Sequence, residues 1–271
     1  MTSTATPDRY FDSAGVALRY VDTGFGEAVV LLHSFTGNLD RDFVRCGLLA
    51  ALAERYRAIA FDLRGHGKSG KPHDPRQYGR EMALDVVRLL DHLRLPKAHI
   101  VGYSLGAHIV AQLLSLHPER FITATLAGSP GRRNWSQDDD RRVATEAAEL
   151  EQGVMRTQIL RLWPKSKPPP SKAEIDARTA AYLQGNDTKA LAALRRANRD
   201  QVVSDAALAA TGVPTLGVVG SRDDYRAEFR ALADAMPQLT LVEIAGAAHG
   251  EALAQDDFRA ALLTFLDAHS R

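Results

Sequence analysis

The chain has 271 residues, enough for one large α/β domain or two small ones, and its hydrophobic (45%) and charged (25%) fractions are those of an ordinary globular protein. A formal net charge of +1, with Arg and Lys scattered rather than striped, gives no electrostatic footprint for nucleic acid or an anionic membrane surface. The single cysteine, Cys46, excludes an intramolecular disulfide and reads as a small core residue in a reducing compartment. The opening MTSTATPDRYF lacks a basic region followed by an apolar run, and no apolar stretch is long enough to span a bilayer. The expectation is a soluble cytoplasmic protein.

YFDSAGVALRYVDTG reads as two short strands joined at Ala14-Gly15, and AVVLLH (Ala28–His33) as a strand buried on both faces. Leu48 to Tyr56 is expected to be helical, and RAIAFDL (Arg57–Leu63) to be the next strand. REMALDVVRLLDHL (Arg80–Leu93) puts Met82, Val86, Leu89, Leu90 and Leu93 on one helical face. AHIVGY (Ala98–Tyr103) is again strand, LGAHIVAQLLSLH helix, and FITATLAG (Phe121–Gly128) strand. This alternation implies right-handed βαβ crossovers and a mostly parallel sheet with helices on both faces.

From Arg132 to about Thr211 the alternation stops, and the chain reads as polar, helical and strandless. We expect residues 132–211 to be a helical cap inserted into a core made of residues 1–131 and 212–271. SQDDDRR reads as a helix start with Ser136 as N-cap and Asp139 at N3, so Asp138, Asp139 and Asp140 are a solvated first turn rather than metal ligands. WPKSKPPPSKAE cannot be helix interior and forms a bend before a helix near Glu174; the helical pattern returns in ALAALRRANRDQVV. PTLGVVG (Pro214–Gly220) and LTLVEI (Leu239–Ile244) are the last strands, with helices at Arg226–Ala235 and about Asp256–His269.

VGYSLGA sets Ser104 at the tip of a buried strand, just before a helix, between Gly102 and Gly106. A sharp strand-to-helix turn strains the serine backbone, and only small neighbours allow the close approach. The free N–H groups of the following helix suit a developing negative charge. A serine nucleophile needs a base and an acceptor to orient it. Of nine histidines, His249 in IAGAAHGEA lies in the loop after the last strand, at the same sheet edge. VVGSRDD offers Asp223 and Asp224 there.

With these segments the chain resembles the α/β-hydrolase family over essentially its whole length. The order Ser104, Asp223, His249 matches the family's nucleophile–acid–base order. DLRGHGKS (Asp62–Ser69) resembles the turn after its fourth strand, and AHIVGYSLGAHIVAQLLSLHPERF its nucleophile elbow and following helix. The resemblance places the acid three residues after Gly220, at Asp223, and leaves Asp224 to cap the next helix near Ala227. LLHSFTG resembles the family's H-G-x-x-G loop, with Ser34 where glycine is usual. The two oxyanion N–H donors are then those of Phe35 and Leu105, and His33 and His66 are structural.

The resemblance implies a serine hydrolase of a small-molecule ester or lactone, with no cofactor, metal or nucleic-acid partner. Ser104 sets aside the branches with an aspartate nucleophile, and Tyr103 stands where carbon–carbon bond hydrolases carry asparagine. Lactonases and perhydrolases share the triad. A receptor-like, non-catalytic member is the rival from another class, disfavoured by three intact positions. Tyr103, Trp135 and Trp163 are the candidate substrate-binding residues; of the cap's Trp135, Met155, Trp163 and Tyr182, some are candidates to line an apolar acyl pocket, while most apolar cap residues are expected to hold the cap to the sheet. Nothing in the sequence sets an oligomeric state.

Overall fold

Ala14 and Gly15, at φ of 53° and 83°, turn β1 (Arg9–Ser13) back into β2 (Val16–Gly24), as a two-residue hairpin of primed type requires. This hairpin begins the chain in the computed structural model, which describes residues 7–165 and 167–270. The first six residues of the opening stretch read for a signal peptide lie outside the described residues. β3 (Ala28–Leu32), β4 (Arg57–Phe61), β5 (Ala98–Tyr103), β6 (Phe121–Ala127), β7 (Thr215–Gly220) and β8 (Leu239–Ile244) complete one sheet, ordered β1-β2-β4-β3-β5-β6-β7-β8. The pairs β1/β2 and β2/β4 are antiparallel; all pairs from β4 to β8 are parallel.

The apolar runs follow from this layering. Along β3, Val30 and Leu32 enter one buried cluster and Val29 and Leu31 the other, so both faces are covered and no polar alternation is needed. The first cluster takes Met82, Val86, Leu89 and Leu90 of α2 (Arg80–His92) and Ile109, Val110 and Leu113 of α3 (Leu105–Leu116). The second takes Leu48 and Leu52 of α1 (Leu48–Ala53). Cys46, just before α1, is half-buried rather than core, with Sγ donating to Asp42 O at 2.8 Å.

Between β6 and β7 run α4 (Gln137–Glu151), α5 (Arg156–Arg161), α6 (Lys172–Leu183), α7 (Thr188–Arg196) and α8 (Asp205–Ala209). Ser136 with Asp139, and Ser171 with Glu174, form reciprocal capping boxes that start α4 and α6. Asp138 pairs with Arg141, Asp139 with Arg142, and Asp140 accepts from Trp135 Nε1. Among the described residues no group of carboxylates, His and Cys could hold a metal. The proline-rich bend separates α5 from α6; its Ser166 lies outside the described residues. The segment is not wholly strandless: Arg132 and Val202 form a parallel bridge, and Val203 N–H donates to Arg132 O at 2.8 Å, tying its ends together.

Ala147, Leu150, Met155, Ile159 and Leu191 of this segment join the same buried cluster as α2 and α3. The chain closes with α9 (Arg226–Ala235), which buries Phe229 and Leu232, and α10 (Asp256–Asp267), which buries Phe258 and Leu262 on the opposite face. Among the described residues no helix is long and apolar enough to cross a membrane.

Candidate active site

Ser104 joins β5 to α3 at φ 54° and ψ −103°, a conformation that is costly for any residue with a Cβ. Its neighbours explain how the turn is held. A Cβ on Gly102 would fall 2.3 Å from Gly106 C and O, and one on Gly106 would fall 2.1 Å from Leu32 O. Both positions must therefore lack a side chain. Ser104 N–H donates to Ala127 O at 2.7 Å, which fastens the turn to β6.

His249 Nε2 lies 3.0 Å from Ser104 Oγ, and His249 Nδ1 lies 2.9 Å from Asp223 Oδ2. Asp223 Oδ1 also accepts Tyr225 N–H at 3.0 Å, so both carboxylate oxygens are fixed. The Asp223 side chain is 2% exposed and that of His249 15%. These two meet because the end of β7 and the loop after β8 touch: a Cβ on Gly220 would fall 2.2 Å from Ala247 O, and Arg222 N–H donates to Ala247 O at 2.9 Å. Tyr103, expected at the substrate, also holds this loop. Its hydroxyl donates to His249 O at 2.5 Å, and burial pushes its phenol well above the usual range, keeping it a neutral donor.

Asp224 does not cap α9. Its Oδ2 is 3.8 Å from Lys165 Nζ, and among the described residues α9 has Tyr225 as N-cap with no side-chain cap hydrogen bond.

Phe35 and Leu105 border the cavity beside Ser104, and neither amide donates to another group among the described residues. Ser34 in the place of glycine is accommodated by its own backbone: Ser34 N–H donates to Asp42 Oδ2 at 2.8 Å and Ser34 O accepts from Gly37 N–H at 3.1 Å. His33 is structural, with Nδ1 donating to Ser34 O (2.8 Å) and Nε2 accepting from Leu63 N–H (3.0 Å). His66 Nε2 sits 2.8 Å from Phe35 O; burial, then the adjacent His33, pushes its pKa down to about 3, so it braces the loop as a neutral ring.

Two chambers meet at Ser104 and His249. The smaller, about 230 Å³, is walled by Trp163, Tyr182, Ile159, Leu162 and Leu253, with Arg178 stacked 4.7 Å over Trp163. The larger, about 330 Å³, contains five arginines: Arg132, Arg133, Arg142, Arg161 and Arg195. Trp135 lines neither. It precedes the α4 cap, with its ring 5.6 Å below Arg132 and its Nε1 bound to Asp140. Met155 is 1% exposed and holds the helices together instead. The expected apolar pocket is thus the smaller chamber only.

Sequence reading missed the arginines, His108 and Tyr225. Arg132, Arg142, Arg161 and Arg195 come from four separate stretches with no common period. One sign was readable: Arg195 lies one turn after Leu191, on the apolar face of α7. His108, one turn after Ser104, also borders this chamber; burial and then Arg132, Arg161 and Arg195 push its pKa well down. Tyr225 links the two parts, its ring 5.5 Å from that of His249 and its hydroxyl 3.3 Å from Arg161 Nη1.

Fold and site together define an α/β protein with a doubly covered, mostly parallel sheet and a serine–imidazole–carboxylate chain at its C-terminal edge. The chain belongs to the alpha/beta hydrolase fold family, whose model matches residues 27–162. It is 35% identical over 127 residues to the dihydrolipoyllysine-residue acetyltransferase component of the acetoin cleaving system of Cupriavidus necator; that match covers 45% of this chain but only 32% of the relative. It is 29% identical over 257 residues to the putative carbamate hydrolase RutD of Variovorax paradoxus, covering 89% of this chain and 92% of that one. Among solved structures, the enol-lactonase from Burkholderia xenovorans LB400 superposes with a TM-score of 0.76 at 23% identity, covering 96% of this chain and all of that one (100%).

Proposed function

We propose that this protein is a serine hydrolase that cleaves a small ester or lactone through an acyl-enzyme on Ser104. The observation that carries the reading is the unbroken chain Ser104 Oγ–His249 Nε2 (3.0 Å) and His249 Nδ1–Asp223 Oδ2 (2.9 Å), mounted on a strained turn. His249 Nε2 takes the proton of Ser104 as Oγ attacks the substrate carbonyl. Asp223 holds the Nδ1–H tautomer and stabilises the imidazolium. The free amides of Phe35 and Leu105 receive the oxyanion, and α3 adds the positive end of its dipole. Collapse of the tetrahedral intermediate returns the proton from His249 to the leaving alcohol. Water, deprotonated by His249, then attacks the acyl carbon, and Ser104 leaves with that proton.

Residues 132–211 act as a cap over this site, within a hydrolase core of residues 1–131 and 212–271. Arg132, Gln158, Leu162, Trp163 and Arg195 of that segment border the two chambers, which supports the assignment. A small-molecule substrate fits the chamber volumes and is in keeping with the activity in the name of the putative carbamate hydrolase relative.

The test is an ester and lactone panel with Ser104→Ala alongside, together with labelling by a fluorophosphonate. We expect one label, on Ser104, and a loss of turnover of at least about 10³-fold in the folded variant. Wild-type turnover in pure Ser104→Ala would overturn the proposal. Absence of both labelling and turnover in the wild type would favour a ligand-binding protein instead.

A further inference from the structure

The larger chamber holds more positive charge than its own carboxylates balance. Arg142 pairs with Asp139 at 2.5 Å, and Arg161 and Arg195 share one carboxylate, Glu146, at 3.1 and 3.0 Å. Glu146 is also 3.6 Å from Arg142. Arg133 is held by Asp205 at 3.0 Å and by Glu228 O at 3.0 Å. Glu228 is the further carboxylate on the wall, near Arg133. Arg132 has no carboxylate within ion-pair distance among the described residues, and its Nε is enclosed without a partner. Burial pulls Arg132 down to about 10, opposed by Tyr225, with Arg142 and Arg161 repelling it. Arg195 is likewise drawn down to about 10, by burial first, with Glu146 opposing.

Both arginines stay cationic at neutral pH, so their charge is kept in a partly dry cavity at a cost. An enclosed cation without a counter-charge is unfavourable, and a bound anion removes that penalty. The planar guanidinium fork is the side-chain group best matched to a carboxylate. Ser104, His249 and the amides of Phe35 and Leu105 border the same cavity of about 330 Å³, so an anion beside Arg132 and a carbonyl at Ser104 fit in one small molecule.

We infer that the chamber walled by Arg132, Arg161 and Arg195 receives a carboxylate of the substrate, so that the ester or lactone cleaved at Ser104 is an acidic one. The inference rests on the hydrolase reading for the identity of the bond broken. The aromatic chamber on the other side of Ser104 takes the apolar half of the same molecule.

The test compares monophenyl glutarate, phenyl pentanoate and 3-carboxyphenyl pentanoate, which place a carboxylate on the acyl half, on neither half and on the leaving half. At low salt one of the two acidic esters should exceed the neutral one in kcat/KM by about tenfold or more, as one charged hydrogen bond implies. Arg132→Gln should reduce that ratio about tenfold, through KM, and Arg132→Lys should restore part of it. Equal kcat/KM for all three esters in the wild type, with Ser104 labelled and esters turned over, overturns the inference and leaves the hydrolase reading standing. An unchanged ratio in folded Arg132→Gln also overturns it. Calorimetry on the wild type with glutarate and with inorganic phosphate separates the anions: binding of glutarate supports a carboxylate site, and binding of phosphate alone overturns it. If no ester is turned over and Ser104 is not labelled, the hydrolase reading fails. Glutarate binding that is lost in Arg132→Gln then still supports the carboxylate chamber, and its absence overturns it.

Discussion

Asp223 and Asp224 are adjacent, yet the fold gives them separate fates. One Asp223 oxygen meets His249 Nδ1 and the other meets Tyr225 N–H, whereas among the described residues Asp224 reaches only Lys165 at 3.8 Å. Under the proposed mechanism, Asp223→Asn keeps an acceptor for Tyr225 N–H but favours the wrong imidazole tautomer. Turnover should fall by about 10⁴ in the folded variant. Asp224→Asn should change turnover less than about twofold and stability by no more than about 0.5 kcal/mol, since an exposed, long ion pair contributes little. Steady-state kinetics and thermal melts on both variants decide it; a collapse confined to Asp224→Asn would reverse the assignment. At this scale Ser104, His249 and the pair Asp223 and Asp224 could be placed at one sheet edge because each follows a strand in the chain's own alternation, whereas the choice of Asp223 came from the family resemblance. Trp135 was not legible. Whether a loop aromatic faces a cavity or a neighbouring side chain has no period in sequence, and only the fold shows Trp135 tied to Asp140, whereas Tyr103 lines the smaller chamber and also reaches His249 O.

Among elements, the strands and long helices were legible from runs and periods, as the two faces of β3 and the apolar stripe of α2 show. α5 was not: unlike the equally short but apolar LLAALA of α1, its RTQILR has only the adjacent Ile159 and Leu160 apolar, so no stripe registers. That short helix matters, because it carries Arg161 and Ile159 to the two chambers and leads straight into Trp163. Trp163 Nε1 donates to Pro168 O at 2.8 Å, so the proline-rich bend itself fixes the ring against the smaller chamber. Trp163→Ala should therefore enlarge that chamber and shift preference toward a bulkier apolar half, measured as kcat/KM across a series of esters. Trp135→Ala removes a ring that only braces Arg132 and the start of α4. It should leave the series order intact and lower stability by about 1 kcal/mol, or roughly 2–4 °C in Tm. Equal effects of the two substitutions on the series would refute this division of roles.

For the whole molecule, the buried histidines predict a loss of stability in acid. His66, His99 and His108 are held below the ordinary imidazole range, in each case by burial first. Each has a fixed contact: His66 with Phe35 O, His99 with Thr123 Oγ1 at 2.8 Å, and His108 with Ser129 Oγ at 3.4 Å. In the native fold they stay neutral, while in the unfolded chain each takes up a proton near pH 6.5. Below that pH the unfolded state binds more protons, so stability falls as pH falls. For His66 the loss continues until the native ring protonates near pH 3. For His66 the slope is at most about 1.4 kcal/mol per pH unit, or about 2 kcal/mol between pH 6.5 and 5, and His99 and His108 act in the same direction. Urea unfolding at pH 7 and pH 5 should show a drop of that order, with a smaller drop in His66→Gln and in His99→Gln. The two variants separate the site loop from the sheet: His66 braces the carbonyl of Phe35, whereas His99 lies in β5 beside β6. A loss of urea stability as large in both variants as in the wild type would show that the acid sensitivity comes from carboxylate ion pairs instead.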